Sequence, residues 1–422
     1  MSKTIIIALY NRNYRIFFAG QGLSIIGTWM QNVALSWLIY RLTDSAFMLG
    51  LVAFMGQIPN FVLAPFAGVW IDRLGKRAVL IITQILSLLQ ATLLAYLTLS
   101  SQIGIDHILI LSLFLGCVNA FDVPARNAFS VEMMDTQEER QNTIALNSVT
   151  YNMARLLGPS AAGILIPLIG EGYCFVLNVA SYFISILSLL ALEISANSQA
   201  KRHSNMLAHF QEGYRYTFKQ LPLRNILILL GIISLTAMPY TVLLPVFVSQ
   251  HLNASAGTLG FLMAVSGCGS LLAAIGIASR SEFQGLEKLL VVAAIIIGVG
   301  LLAFLLPANL WLAALLMFIL GVGFLIQVVG SNTLLQCMVD DSMRGRVMSF
   351  YTMTLMGIGP IGSLLAGLLA SEIGAVYTMA IGGVCSIAGA VFFARRLSVF
   401  RIQACPIYVQ SGSLSSRDEC RY

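Results

Sequence analysis

Three ionisable side chains lie within long apolar stretches of this sequence: Asp122, Arg126 and Arg155. Asp122 and Arg126 are four positions apart, so they share one face of a helix, with Pro124 between them. A charge inside an apolar helix is costly unless it meets an opposite charge, water or a ligand. The pair therefore predicts either a structural ion pair or a protonatable switch.

Arg155 is the second unusual charge. At a rise of about 1.5 Å per residue, it lies near or beyond the midpoint of a helix that begins near residue 141, whereas Asp122 lies in the inner half of its own span. A direct pair between the two is therefore left open. Its depth indicates one of two roles for Arg155. It either attracts an anionic group of a bound molecule or bridges polar side chains.

Other chemistry has little support in the sequence. The phosphate-cradling pattern GxxxxGK[ST] is absent, and no paired carboxylates or histidine cluster share one depth. The four histidines lack the spacing of metal ligands, and the seven cysteines contain no CxxC pair. We therefore expect no enzyme activity, no metal site, no cofactor and no disulfide framework.

Apolar stretches account for most of the chain. Hydrophobic residues make up 58% of it and charged residues only 10%, whereas about a quarter of a soluble domain is charged. Each stretch is long enough to cross a bilayer as a helix, which takes roughly 20 residues. The fold class predicted is an all-α membrane protein with twelve transmembrane helices in two pseudo-symmetric six-helix bundles. The predicted spans are 14–40, 46–70, 77–100, 107–130, 141–168, 172–195, 222–249, 256–280, 286–306, 309–333, 346–370 and 376–395.

Lysine and arginine are distributed asymmetrically about these spans. With both termini in the cytoplasm, Arg41 is the one basic residue of an outer segment, and Arg155 lies within a span. Basic residues concentrate in the cytoplasmic loops of membrane proteins. The asymmetry predicts two cytoplasmic termini and explains the net charge of +6 as a topology signal, with no nucleic-acid partner.

A polar stretch divides the spans into two sets of six. We predict a first bundle at 1–195, a cytoplasmic linker at 196–221, a second bundle at 222–395 and a cytoplasmic tail at 396–422. Gly158 and Pro159 of the fifth span correspond to Gly359 and Pro360 of the eleventh, so the halves are repeats. Parallel repeats are typical of transporters with a site near the midplane. Short helices at the inner surface are expected within 1–13 and 206–220.

The loop after the second span combines glycines, one acid and three basic residues. Glycine permits a close approach of helices or a tight turn, and the acid lies at the cytoplasmic mouth. The pattern resembles the first signature of the major facilitator superfamily of transporters. The resemblance implies that the acid is a latch between the halves; the alternative is a positively charged turn with an incidental acid. The residues are Gly68, Asp72, Arg73, Gly75, Lys76 and Arg77.

The fifth span carries a second motif, Gly158, Pro159, Ala162 and Gly163. The proline removes a backbone hydrogen bond and kinks the helix, while small residues permit close packing. The motif resembles that of the antiporter branches, and an ordinary membrane-helix kink is the alternative. The segments 11–15, 27–29, 37–45, 122–126 and 152–159 together resemble the secretion-effector branch, which is related to enterobactin and macrolide exporters, and the resemblance extends to about residue 400.

Polar side chains recur along several spans. Those of the first span form a single helical stripe. The resemblance implies that spans 1, 4, 7 and 10 line a central cavity, whereas Gln84, Gln90 and Asn178 are exceptions in spans of a supporting kind. Interhelical hydrogen bonding is the alternative role for any one of them. The candidate cavity residues are Gln21, Ser24, Thr28, Gln31, Asn119, Asn152, Tyr240, Gln327 and Asn332.

These features together predict a secondary transporter of the bacterial inner membrane that works by alternating access. We expect proton-coupled efflux of a small amphipathic or siderophore-like molecule. Ser112 stands where many proton-coupled drug exporters carry an arginine, which departs from their usual proton relay. An importer or facilitator of the same fold, and a transport-inactive receptor or scaffold, are the alternatives. The expected partners are the lipid bilayer, a small-molecule cargo and protons, and the protein is expected to be a monomer.

Overall fold

The computed structural model describes residues 4–134, 136–193, 206–279, 285–306 and 309–397, which are helical apart from short connections. A 3₁₀ helix, Thr4–Tyr10, precedes fourteen α-helices. The α-helices are α1 (Arg12–Thr43), α2 (Ala46–Leu74), α3 (Lys76–Leu99), α4 (Ile105–Glu132), α5 (Gln137–Ile169), α6 (Glu171–Leu190), α7 (Met206–Lys219), α8 (Leu221–Ile232), α9 (Tyr240–Gln250), α10 (Ala256–Ala278), α11 (Leu286–Leu302), α12 (Leu310–Met338), α13 (Asp341–Ile373) and α14 (Ala375–Arg395).

Eleven helical segments of the described chain are long and apolar enough to cross a membrane. One of them, Leu221–Gln250, consists of α8, a π-helical turn at Ile233–Ala237, and α9. The remaining predicted span is α1, whose 32 residues suffice for a crossing but whose polar side chains lower its mean hydropathy. These segments confirm the predicted multi-pass α-helical membrane fold.

Four glycines with positive φ mark the repeat within the described residues. Gly75 (φ 83°) separates α2 from α3, and Gly285 (φ 76°) immediately precedes α11. Gly170 (φ 85°) separates α5 from α6, and Gly374 (φ 90°) separates α13 from α14. Residues with a Cβ rarely adopt these angles, so each junction needs glycine. A glycine with positive φ therefore lies at the same two helix junctions in each half.

The contacts divide the chain into two compact units. The first contains Met1–Arg202 and Leu244–Gly267, and the second contains His203–Leu243 and Cys268–Tyr422. In the first unit α1 packs against α5 and α6, α2 packs against α4, and α3 packs against both α4 and α6. In the second unit α11 packs against α12 and α14. The predicted boundaries of the two bundles stay a prediction, and residues 194–205 and 398–422 of the predicted linker and tail lie outside the described residues.

The two short helices expected before the first and seventh spans are present. In the first unit, the N–H of Ala8 in the 3₁₀ helix donates to Asn142 Oδ1 in α5 at 3.1 Å. In the second unit, Glu212 of α7 forms a 2.6 Å ion pair with Arg346 of α13. Each short helix thus lies against the first turns of α5 or α13, which are corresponding helices of the repeat. Their predicted position at a membrane surface stays a prediction.

Candidate functional site

The signature loop makes a tight turn between α2 and α3. Gly75 supplies the turn through its positive φ, as expected from the sequence. Gly68 differs from its expectation, because no atom of the described residues lies within 4 Å of a Cβ built on it. The close helix approach expected at Gly68 is not observed among the described residues, and its role stays a prediction.

Two of the three basic residues of this loop contact the ends of neighbouring helices. Lys76 Nζ lies 2.6 Å from Glu132 at the end of α4. Arg77 donates from Nε and Nη2 to the carbonyl oxygens of Leu189 and Leu190 at 3.2 and 3.3 Å, at the end of α6. The loop is thus tied to α4 and α6.

The two remaining charged residues of the loop lie in the last turn of α2. Arg73 is exposed, and no hydrogen bond or ion pair joins it to the part of the chain described. Asp72 is the adjacent residue, and its side chain lies outside the described residues. The latch role of Asp72 therefore stays a prediction.

The motif of α5 contacts two different helices of the first unit. A Cβ built on Gly158 would lie 2.9 Å from the backbone of α1, at Ile26 and Met30. A Cβ built on Gly163 would lie 3.0 Å from the Cα of Gly260 in α10, which also approaches the carbonyl oxygen of Pro159. Small residues therefore allow α5 to meet α1 and α10 at backbone distance. Both glycines therefore contribute to helix packing. A kink at Pro159 alone would not require glycine at either position.

Asp122 joins three helices of the first unit. Its side chain is buried, and its Oδ1 accepts hydrogen bonds from Thr83 Oγ1 at 2.8 Å and Gln84 Nε2 at 2.9 Å. Its Oδ2 forms the ion pair with Arg126 that the spacing predicted. Gln84 in turn accepts a hydrogen bond from Ser24 of α1 at 3.1 Å. The described contacts are those of a structural ion pair, and the role of a protonatable switch stays a prediction.

The polar stripe of α1 is bonded to α3 and α6. Gln31 is fully buried, donates to Gln90 Oε1 at 3.3 Å and accepts from Asn178 Nδ2 at 2.8 Å. These are interhelical hydrogen bonds, one of the two roles left open by the sequence, and the cavity role of the stripe stays a prediction. The other contacts of the stripe are Gln21 with Ser185 at 3.0 Å, Ser24 with Gln84 at 3.1 Å, and Thr28 with Tyr182 at 3.1 Å.

The hydrogen-bond partners of the α1 stripe and of Asp122 are not among the candidate site residues predicted from the sequence. They lie in α3 and α6, which the sequence suggested are supporting helices. The available signal was the presence of three amides, Gln84, Gln90 and Asn178, in otherwise apolar spans. An amide in a membrane span needs a partner, so each amide indicated a neighbouring polar helix face.

A small cavity lies beside Arg126. It measures about 10 Å³ and is lined by residues of α1, α4 and α5, including Gln21, Asn147 and Tyr151. Arg126 Nε and Gln21 Oε1 are buried and have no hydrogen-bond partner among the described residues. This volume corresponds to about one water molecule and is far smaller than a small-molecule site.

Arg155 lies one turn beyond this cavity. Asn147, Tyr151 and Arg155 follow one another at intervals of four along α5, so they share one side of the helix. Arg155 is half-buried and forms no hydrogen bond or ion pair with the residues described. The contacts that would make it a bridge between polar side chains are not observed there, and its predicted attraction for an anionic group stays a prediction.

The remaining candidate cavity residues belong to separate local environments. In the first unit, Asn119 is half-buried, and Asn152 donates to Ser148 of its own helix at 2.8 Å. In the second unit, Tyr240 stacks on Phe324 with ring centroids 5.2 Å apart. Gln327 is buried and donates to Ser331 at 3.5 Å, and Asn332 accepts from Gln336. Their cavity role stays a prediction. No group of three or more metal-binding side chains occurs in the described ranges.

Comparisons with known proteins agree with this architecture. The profile of a family described as transmembrane secretion effectors matches residues 5–406. The chain is 26% identical over 374 residues to the staphyloferrin A transporter of Staphylococcus aureus, covering 88% of this chain and 93% of that protein. It is 27% identical over 368 residues to the multidrug efflux pump Tap of Mycolicibacterium fortuitum, covering 84% and 87%.

Solved structures share the fold. The nucleoside transporter NupG superposes with a TM-score of 0.72 at 15% identity, covering 92% of this chain and 99% of that one. A POT family transporter in complex with 5-aminolevulinic acid superposes with a TM-score of 0.76 at 11% identity, covering 92% and 96%. At these identities the likeness concerns the fold alone.

Proposed function

Since the chain belongs to the transmembrane secretion effector family of major facilitator transporters, we propose that it exports a small amphipathic or siderophore-like molecule in exchange for protons. The family and these relatives are membrane transporters, not enzymes. The observation that carries the proposal of export is the motif of α5, which resembles that of the antiporter branches and whose two glycines meet α1 and α10 at backbone distance. A relative named as an efflux pump supports the same direction.

The proposed transport cycle is alternating access in a bacterial inner membrane, with both termini in the cytoplasm. The support for this orientation is the concentration of lysine and arginine at one set of helix ends. Asp122 is the proposed proton-coupling acid, because it is buried in the first unit and linked to α1 and α3 through Gln84. A proton on Asp122 would weaken its pair with Arg126 and its two hydrogen bonds together.

Transport in inverted membrane vesicles tests the direction. Export from the cell corresponds to uptake into inverted vesicles, and it should depend on an imposed proton gradient. Accumulation by intact cells in place of efflux would favour an importer or facilitator. The absence of substrate-stimulated proton movement in proteoliposomes, for any tested member of the two compound classes, would favour a receptor or scaffold.

Asp72→Asn tests the proposed latch. The resemblance implies that this acid faces the start of the eleventh span, and a carboxylate at a helix N-terminus contributes up to about 2 kcal/mol. We therefore expect the transport rate to fall about tenfold or more while membrane insertion stays normal. The control is Asp106→Asn, which removes the same charge from an exposed position in the first turn of α4. Equal transport by the two variants would show that Asp72 is an incidental acid of the turn.

Arg155→Gln tests whether Arg155 binds an anionic group of the cargo. A hydrogen bond to a charged group contributes about 1.5–3 kcal/mol, so we expect about a tenfold or greater loss of affinity for anionic cargo. Neutral cargo and thermal stability should be unaffected, because no described residue bonds to Arg155. Arg155→Lys should be partly active, since it keeps the charge and loses the planar guanidinium.

Competition assays with anionic and neutral compounds, together with melting curves in detergent, provide the measurement. An equal loss for both compound classes in a destabilised Arg155→Gln protein would make Arg155 a structural residue.

A further inference from the structure

The first unit contains an apolar groove between α2, α3 and α4, which we call the α2–α3–α4 groove. Its volume is about 230 Å³. Trp70 and Leu74 of α2 form one wall, Val79 and Leu86 of α3 the second, and Phe114 of α4 belongs to the third. Val79 and Leu86 are seven residues apart on one helix face, so the groove extends about 10 Å along α3.

This groove faces outward from the helices of its unit. Trp70 is 58% exposed, Leu74 is 53% exposed and Ile82, which also lines it, is 49% exposed. In a multi-pass membrane protein such an apolar face meets lipid. An unfilled groove would forfeit dispersion contacts on both walls, so a flexible hydrocarbon chain is the natural occupant.

The end of the groove at the α2–α3 turn carries positive charge. Leu74 and Val79 flank this turn, and Arg73 lies next to Leu74 with its side chain exposed. Lys76 begins α3, although its ammonium is already paired with Glu132. Trp70 lies one helical turn before Arg73, and exposed tryptophans favour the depth of lipid headgroups. An apolar channel that begins at a cation and an interfacial tryptophan matches the order of groups in an anionic phospholipid.

We propose that the α2–α3–α4 groove binds one acyl chain of an anionic phospholipid, whose headgroup phosphate contacts Arg73. Basic residues at the cytoplasmic end of membrane helices attract anionic headgroups by about fivefold in affinity for each residue. The bound chain lies against Thr83, whose hydroxyl donates to Asp122. The lipid is therefore separated from the Asp122 network by one side chain. This proposal does not depend on the direction or the cargo of transport.

Tryptophan quenching by brominated lipids tests the site. The full-length protein, with Trp29, Trp37 and Trp311 replaced by phenylalanine, keeps Trp70 as its one tryptophan. It is reconstituted in phosphatidylcholine with equal small fractions of either brominated phosphatidylglycerol or brominated phosphatidylcholine. We expect the anionic lipid to quench Trp70 about fivefold more effectively per mole, because one free cation faces the headgroup.

Two controls make the result specific. A protein that keeps only Trp311, which is 74% exposed at the start of α12, should be quenched equally by both lipids. Arg73→Gln should abolish the preference at Trp70, whereas Arg395→Gln, which removes an exposed charge at the end of α14, should preserve it. If the triple tryptophan variant does not fold, Trp70→Phe in the otherwise unchanged protein should remove the lipid-selective part of the quenching.

The outcomes separate the parts of the proposal. Equal quenching of Trp70 by both lipids would overturn the anionic headgroup, because only ordinary surrounding lipid would then be present. No quenching by either lipid would overturn acyl-chain binding in the groove. A preference that survives Arg73→Gln would overturn the assignment of the phosphate to Arg73.

Discussion

Asp122→Leu is expected to destabilise the protein by about 3–5 kcal/mol, because it leaves the Arg126 guanidinium without its carboxylate in an apolar interior. Thr83 and Gln84 lose their acceptor in the same substitution. Thermal unfolding in detergent and the yield of monodisperse protein measure the effect. Asp106→Leu is the matched control, since it changes an exposed acid of the same helix and should leave the melting temperature nearly unchanged.

The double variant Asp122→Leu, Arg126→Leu separates structure from transport. Removal of both charges eliminates the uncompensated cation, so we expect most of the lost stability to return. Transport should not return, because the proposed coupling acid is absent. A double variant as unstable as Asp122→Leu would show that the hydrogen bonds to Thr83 and Gln84, not the ion pair, dominate. Active transport by the double variant would contradict the assignment of Asp122 as the coupling acid.

Gly260→Ala is expected to have the second large effect. A Cβ at this position would overlap the backbone of Gly163 in α5, where no flexible side chain can move away. Overpacking of this kind costs typically about 1–3 kcal/mol, so we expect a lower melting temperature and slower transport. Gly163→Ala should act in the same direction, because its Cβ would lie 3.0 Å from the Cα of Gly260.

Gly276→Ala provides the control within the same helix. No atom of the described residues lies within 4 Å of a Cβ built there, so only the helix propensity changes. Alanine is favoured over glycine in a helix by up to about 1 kcal/mol, and we expect stability to be equal or slightly higher. Equal melting temperatures for Gly260→Ala and Gly276→Ala would mean that the approach of α5 to α10 does not contribute to stability.

The role of the signature loop illustrates how far a sequence motif can be interpreted. The turn at Gly75 was predictable, because glycine in a short charged loop between two apolar spans readily adopts the positive φ of a tight turn. That no described residue lies close to Gly68 was not predictable, because glycine in a helix indicates only the possibility of a close neighbour. The partners of Lys76 and Arg77 depend on the ends of α4 and α6, which are distant along the chain.

The sequence by itself determined that the chain folds into membrane-crossing helices, whereas the division of the seventh span into α8, a π-helical turn and α9 came from the structure. A bilayer requires each crossing segment to satisfy its backbone hydrogen bonds internally, so apolar length alone specifies a helix. The repeat was also visible, because Gly158 and Pro159 of the fifth span recur as Gly359 and Pro360 of the eleventh. The spacing of Asp122 and Arg126 was sufficient to predict their ion pair, since residues four apart are neighbours on any helix.

Only the tertiary structure decided which helix each polar face meets. Helical periodicity places Gln21, Ser24, Thr28 and Gln31 on one side of α1, but it cannot say whether that side faces a cavity or another helix. The packing of α1 against α6, and the hydrogen bonds to α3, give the stripe partners at 2.8–3.3 Å. The same long-range packing places Thr83 and Gln84 on Asp122 and leaves Arg155 without a described partner. Rotation of a helix about its axis is set by its neighbours, and no local pattern along one helix contains that information.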